Sequence, residues 1–142
     1  MKVILTADQL QEIEAHGEGS YPNEGAGFML GKIASGEVQI TTLLTLDNQR
    51  EEEAQHNRYE LSPKDFMQAE LQAAKQGLDL VGVFHSHPDH PAVPSEFDRE
   101  YAWPHFSYII SSIEGGKATI TRAWRLKEDR SAFDEDTLTT HN

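Results

Sequence analysis

The chain has 142 residues, with 12 Lys and Arg against 24 Asp and Glu, a formal net charge of −12, and no cysteine. That length is one domain, and such a domain buries about 70% of the surface its unfolded chain exposes. The charge argues against nucleic acid and anionic membrane surfaces, which need clustered cations; the lack of cysteine excludes disulfides, thiolate zinc sites and thiol nucleophiles.

No stretch approaches the ~20 apolar residues of a membrane span. The N-terminal run Val3-Ile4-Leu5 is too short for a secretory signal. The expectation is a soluble, cytoplasmic protein. Val3, Ile4 and Leu5 predict a short strand. Thr6 reads as an N-cap, with Gln9 completing a capping box. Leu10, Ile13 and Glu14 continue an amphipathic helix that Gly17 or Gly19 ends. Ser20-Tyr21-Pro22-Asn23 reads as a loop. Gly27-Phe28-Met29-Leu30-Gly31 suits a buried strand, and residues 38–43 alternate with the period of a strand. Ala34-Ser35-Gly36-Glu37 joins them as a hairpin. Residues 47–57 are polar and charged, a loop, and Tyr59-Glu60-Leu61 predicts a short strand.

Ser62 caps a helix over 63–76, with Pro63 at its favoured first position. Phe66, Met67, Leu71 and Ala74 share one face, and Gly77 closes the helix. Residues 80–84 form a continuous apolar run, as in a central strand covered on both sides. A polar loop over 85–94 follows, then a short helix from Ser95. Tyr108-Ile109-Ile110 and residues 118–124 predict two strands around Glu114-Gly115-Gly116. From Glu128 onward the chain is acidic and reads as a fraying tail. The expected organisation is one domain over 1–127 and an acidic tail over 128–142. The expected class is α/β or α+β: a mixed central sheet with two main helices and a short third.

The chemistry concentrates in His85-Ser86-His87-Pro88 and Ser95-Glu96-Phe97-Asp98. Residues two apart in extended chain point the same way. If the chain stays extended past residue 84, both imidazoles converge on one point. Two neutral imidazoles and one carboxylate make an open zinc site with water in the fourth position. Asp98 is the natural third ligand, and Pro88, Pro91 and Pro94 stiffen the loop that returns it. A lone histidine is more often a surface or satisfied core residue; this alternating pair with a following carboxylate is less common. Ser95 and Asp98 also form a capping-box pattern, and the two roles are compatible.

His85-Ser86-His87-Pro88, six residues, Ser95, two residues and Asp98 resemble the JAMM motif of the MPN+ (JAB, Mov34) metalloprotease family. Pro22-Asn23-Glu24-Gly25-Ala26-Gly27-Phe28-Met29-Leu30-Gly31 resembles the family's upstream Pro-x-Glu-x-x-Gly segment. One departure is Ala26, where many relatives carry cysteine. The resemblance covers most of the chain. It implies an MPN/JAB-type, cytidine-deaminase-like fold. It implies that His85, His87 and Asp98 bind one zinc per chain. Glu24 would be the general acid/base acting on the zinc-bound water, and Ser95 would hydrogen-bond the developing oxyanion. Without the resemblance, Glu24 is one acid among many.

Active members of the family hydrolyse amide or isopeptide bonds at the C-terminal tail of ubiquitin or ubiquitin-like proteins. This chain looks like the short prokaryotic members, which are associated with ubiquitin-like sulfur carriers. Such a tail would lie extended along an exposed strand edge. Two rivals compete. His85-Ser86-His87-Pro88-Asp89-His90 also fits the His-x-His-x-Asp-His pattern of metallo-β-lactamases, but that fold is longer and His105 and His141 lack the right context for its further ligands. A non-catalytic MPN interaction module is the other, although every ligand position here is filled. Trp103, His105 and Phe106 could wall a substrate groove, but the aromatics read first as core or rim packing. His16, His56 and the acidic runs Glu51-Glu52-Glu53 and Asp134-Glu135-Asp136 read as solvated. No phosphate-binding glycine pattern is present. Nothing in the sequence sets an oligomeric state.

Overall fold

The computed structural model describes residues 1–46 and 61–142. The expected loop over 47–57 and most of the strand expected at 59–61 lie outside the described residues. The elements are β1 (Lys2–Thr6), α1 (Ala7–Ser20), β2 (Ala26–Ala34), β3 (Glu37–Leu46), α2 (Pro63–Lys75), β4 (Asp79–Pro88), α3 (Glu96–Tyr101), β5 (Ser107–Glu114), β6 (Lys117–Leu126) and β7 (Phe133–His141). The strands form one mixed sheet, closed on itself in the order β1-β3-β2-β4-β5-β6-β7. β1 runs parallel to both β3 and β7, and β4 runs parallel to β5. The other pairings are antiparallel.

Local chemistry explains most of the boundaries. Thr6 Oγ1 accepts the Gln9 N–H at 3.0 Å, and Gln9 Oε1 accepts the Thr6 N–H at 2.9 Å. Ser62 and Asp65 make the same reciprocal pair at the start of α2. Ser35 and Gly36 both have positive φ, as a two-residue hairpin turn requires. α1 differs from expectation at its end, because it runs past both glycines to Ser20. A Cβ on Gly17 would stand 2.9 Å from Ile113 Cδ1 and 3.0 Å from Ser86 Cβ. Gly17 therefore lets α1 press onto β4 and β5 rather than ending the helix.

Both faces of the sheet are covered. Ile13 of α1 packs with Met29, Phe84 and Ile109 in one core. Ala69 of α2 packs with Phe28, Val83 and Tyr108 in the other. Phe28 and Met29 point to opposite cores, which is why this stretch of β2 is uniformly apolar. The buried face of α2 is only partly the expected one: Phe66 packs edge-on to Phe28 against the second core, but its expected companions do not. Ala69 and Ala73 are buried, whereas Met67 and Leu71 are 57% and 55% exposed and Ala74 is exposed. Small side chains bring the helix axis close to the sheet, and the larger ones are left outside.

Two strands outrun the sequence reading. β4 continues through His85, Ser86, His87 and Pro88, so the loop begins only at Asp89. The acidic tail does not fray: β7 pairs with β6 from Ala123↔Asp136 to Leu126↔Phe133, then with β1 from Lys2↔Thr137 to Thr6↔His141. Backbone pairing along its whole length, first with β6 and then with β1, together with Leu138 packed against the first core, outweighs the charge of its exposed side chains. Asp136 is buried, not solvated; its carboxylate meets the Arg125 guanidinium at 3.2 Å.

Candidate metal centre

The extended course of β4 sets the first two residues of the site. His85 and His87 stand on one face of the strand with ring centroids 5.0 Å apart. Asp98 arrives from the first turn of α3, which Ser95 caps. Its Oδ2 lies 3.1 Å from His87 Nε2, and its Oδ1 lies 3.5 Å from His85 Nε2. Glu24, on the loop between α1 and β2, places Oε1 3.9 Å from His85 Nδ1. All four residues are buried, at 1–7% exposure. Glu24, His85 and His87 offer ligand atoms that all lie within 4.8 Å of one another.

The loop after β4 is fastened one carbonyl at a time. Ser112 Oγ donates to His90 O, His87 Nδ1 to Pro91 O at 2.9 Å, and Trp124 Nε1 to Ala92 O at 3.0 Å. The Pro91 contact fixes the His87 ring so that Nε2 faces the site. Asp98 Oδ2 also accepts the Ser95 N–H at 2.8 Å, while Ser95 Oγ accepts the Asp98 N–H at 3.1 Å. Ser95 itself is exposed, at the rim of the buried cluster. Its hydroxyl accepts the capping bond and keeps its own proton to donate.

Burial and charge divide the two imidazoles. Burial pushes His85 down to about 4, against the pull of Asp98 and with a small push from His87. Burial also lowers His87, but the hydrogen bond and charge of Asp98 outweigh it, and His87 lies above its ordinary value. Burial works to raise Asp98, yet both histidines hold its carboxyl well below the usual carboxylate range. A neutral imidazole, a second imidazole on a carboxylate and a further buried carboxylate are the donors that zinc favours.

The structure brings together the four residues His85, His87, Asp98 and Glu24. It leaves the metallo-β-lactamase pattern unbuilt. Asp89 turns away with positive φ, and its carboxylate accepts Tyr21 Oη at 2.7 Å and the Gly115 N–H at 2.8 Å. His90 and His105 are exposed. His16 is half-buried against the Phe84 ring rather than solvated, and His56 lies outside the described residues.

A groove of about 1290 Å³ runs between α2 and α3, lined among others by Phe66, Met67, Leu71, Phe97, Tyr101 and Trp103. Trp103 and Phe106 thus do wall a groove, and His105 does not line it. Met67, Leu71 and Tyr101 were not readable as groove residues. The available signal was that α2 carries more apolar residues than one buried face needs.

Comparison with known proteins gives a consistent picture. A family profile described as prokaryotic homologs of the JAB domain matches residues 6–127. A desampylase of Haloferax volcanii is 33% identical over 119 residues, covering 80% of this chain and 83% of the relative. A probable TtuB-protein conjugate cleaving protease of Thermus thermophilus is 28% identical, covering 77% of this chain and 69% of the relative. The solution structure of a Desulfitobacterium hafniense protein superposes with a TM-score of 0.84 at 28% identity, over all of this chain and 94% of the other.

Proposed function

The chain belongs to the family of prokaryotic JAB-domain proteins, and from that premise we propose that it is a zinc-dependent isopeptidase acting after the C-terminal tail of a ubiquitin-like protein. The observation that carries this reading is the convergence of two imidazoles and two carboxylates, all buried, at one strand end. The Nε2 atoms of both histidines lie 3.1–3.5 Å from the Asp98 carboxylate, which supports His85, His87 and Asp98 as the residues that would hold the metal. Glu24 stands on the other side of the His85 ring and is left for proton transfer. Zinc held there would supply a Lewis acid that makes the attacking water more acidic, bringing its pKa to about 7.

The protein groups do the rest. Glu24 takes a proton from the attacking water as its oxygen adds to the scissile carbonyl carbon. The Ser95 hydroxyl donates to the carbonyl oxygen as negative charge develops there. The C–N bond then breaks, and Glu24 returns the proton to the leaving nitrogen. The products are a tail ending in a carboxylate and a free amine.

A sulfur carrier is the substrate class this reading favours, with its tail extended beside the end of β4. The groove shares α3 with the site: Phe97 and Tyr101 line it while Asp98 faces the metal ligands. We place an apolar patch of the carrier's folded body there. The working compartment in this reading is the cytoplasm; no helix among the described residues is long and apolar enough to cross a membrane. The test is a carrier with a short C-terminal extension, incubated with zinc-loaded protein and followed by mass spectrometry. Release of the extension at the carrier's last residue is expected. An intact fusion after prolonged incubation with several carriers would overturn the reading.

A further inference from the structure

The strand that carries the metal ligands also grips the loop that carries Glu24. The β2–β4 ladder ends at Ala26↔His85, two residues after Glu24. Its neighbour Gly25 is held twice by one residue. Ser86 N–H donates to Gly25 O at 3.0 Å, and Gly25 N–H donates to Ser86 Oγ at 2.8 Å. The first bond is available to any residue at that position. The second needs a short side chain with a hydroxyl.

Ser86 lies between the two ligand histidines but faces the opposite side of β4, at 2% exposure. α1 packs tightly behind it. A Cβ on Gly17 would stand 3.0 Å from Ser86 Cβ, and one on Gly25 would meet Ser20 and His16, also of α1. Helix, strand and loop are therefore in contact at the one point where the Ser86 hydroxyl bonds the loop.

We propose that Ser86 is a positioning residue: its hydroxyl fixes Gly25, and through it the Glu24 carboxylate, relative to His85 and His87. This rests on the reading of Glu24 as the proton-transfer group. Ser86 touches neither the ligand side of β4 nor the groove. It ties the two halves of the site, ligands on β4 and base on the preceding loop, into one rigid unit. A misplacement of about 1 Å in such a group lowers turnover by up to ~10²-fold.

The test uses the zinc-loaded full chain and a carrier–peptide fusion, with Ser86→Ala, Glu24→Gln and the double variant. Ser86→Ala keeps zinc at wild-type stoichiometry and KM within about two-fold, and lowers kcat by about 10- to 100-fold. In the Glu24→Gln background the same substitution lowers residual turnover less than about two-fold, because the residue it acts through is already gone. The Gly25 amide proton, followed by NMR, exchanges at least about ten-fold faster in Ser86→Ala while amides of β5 do not. Should Ser86→Ala fail to fold, Ser86→Cys keeps the shape, offers only a weak acceptor, and is expected to lose kcat in the same direction. An unchanged kcat, or an equal loss in both backgrounds, overturns the proposal. A wild-type protein that leaves the fusion intact sinks the substrate reading instead, and Gly25 exchange then still decides whether Ser86 holds the loop.

Discussion

In the proposed function, His87 is where metal and proton compete. Both of its ring nitrogens face acceptors, Pro91 O at 2.9 Å and Asp98 Oδ2 at 3.1 Å. In the metal-free protein these two acceptors favour the doubly protonated ring and raise its pKa above the ordinary value. In the proposed function zinc would take the place of the Nε2 proton, while the Nδ1–H bond to Pro91 would remain. Below the raised pKa, zinc affinity falls about ten-fold per pH unit; above it, His87 no longer contributes to the pH dependence. His85 adds nothing to this window, since burial keeps it neutral down to about 4. Calorimetry of zinc binding at pH 5.5, in two buffers of different ionisation enthalpy, should show about one proton released. Release of none would contradict the His87 assignment. His87→Ala should lose zinc and turnover together, and a chelator should inactivate the wild type until zinc is returned. At this scale the convergence of His85 and His87 was legible, because a two-residue spacing in extended chain has only one geometric outcome. Glu24 was legible only through family resemblance, because a single acid on a loop has no spacing to betray it. Ser86 carried no signal at all: its role comes from the loop it meets, 61 positions earlier in the chain.

Among the elements, α2 shows how packing overrules an apolar count. Its large residues suggested the core face, yet Ala69 and Ala73 are the residues pressed against the sheet. Ala69→Leu should therefore destabilise the fold by about 1–3 kcal/mol through overpacking, measured by urea unfolding. Met67→Asp should leave the unfolding midpoint in place, because the side chain is exposed. In the proposed function it raises KM for a folded carrier by at least about five-fold, while turnover of a short peptide amide stays constant. Equal effects on both substrates would remove the groove from the account. α1 was misjudged for a related reason. Glycine reads as a helix stop, but Gly17 is there for the clearance it gives Ile113 and Ser86.

The whole molecule is closed by the segment least expected to be ordered. Charged residues at the end of a chain usually mean solvation, and the alternating exposure of β7 looks the same in sequence as a polar tail. What orders it is pairing with β6 and β1, contacts far apart along the chain that no local pattern reveals. Asp136 anchors that closure. Asp136→Ala should cost about 1–3 kcal/mol, because it removes a buried carboxylate hydrogen-bonded to the part-exposed Arg125 guanidinium. A change under about 0.5 kcal/mol would mean that the closure does not depend on this pair. The order of the elements and the strand–loop–helix frame around the ligands were readable; closure of the sheet was not.

The central claim is that a carboxylate on the α1–β2 loop drives hydrolysis beside a metal held by β4 and α3. It is tested most directly by the cleavage rate of a carrier fusion by Glu24→Gln against wild type, at matched zinc content. The account predicts about one zinc per chain in both proteins and a rate lowered by at least about 10²-fold in the variant. Wild-type turnover in Glu24→Gln at equal zinc would contradict it.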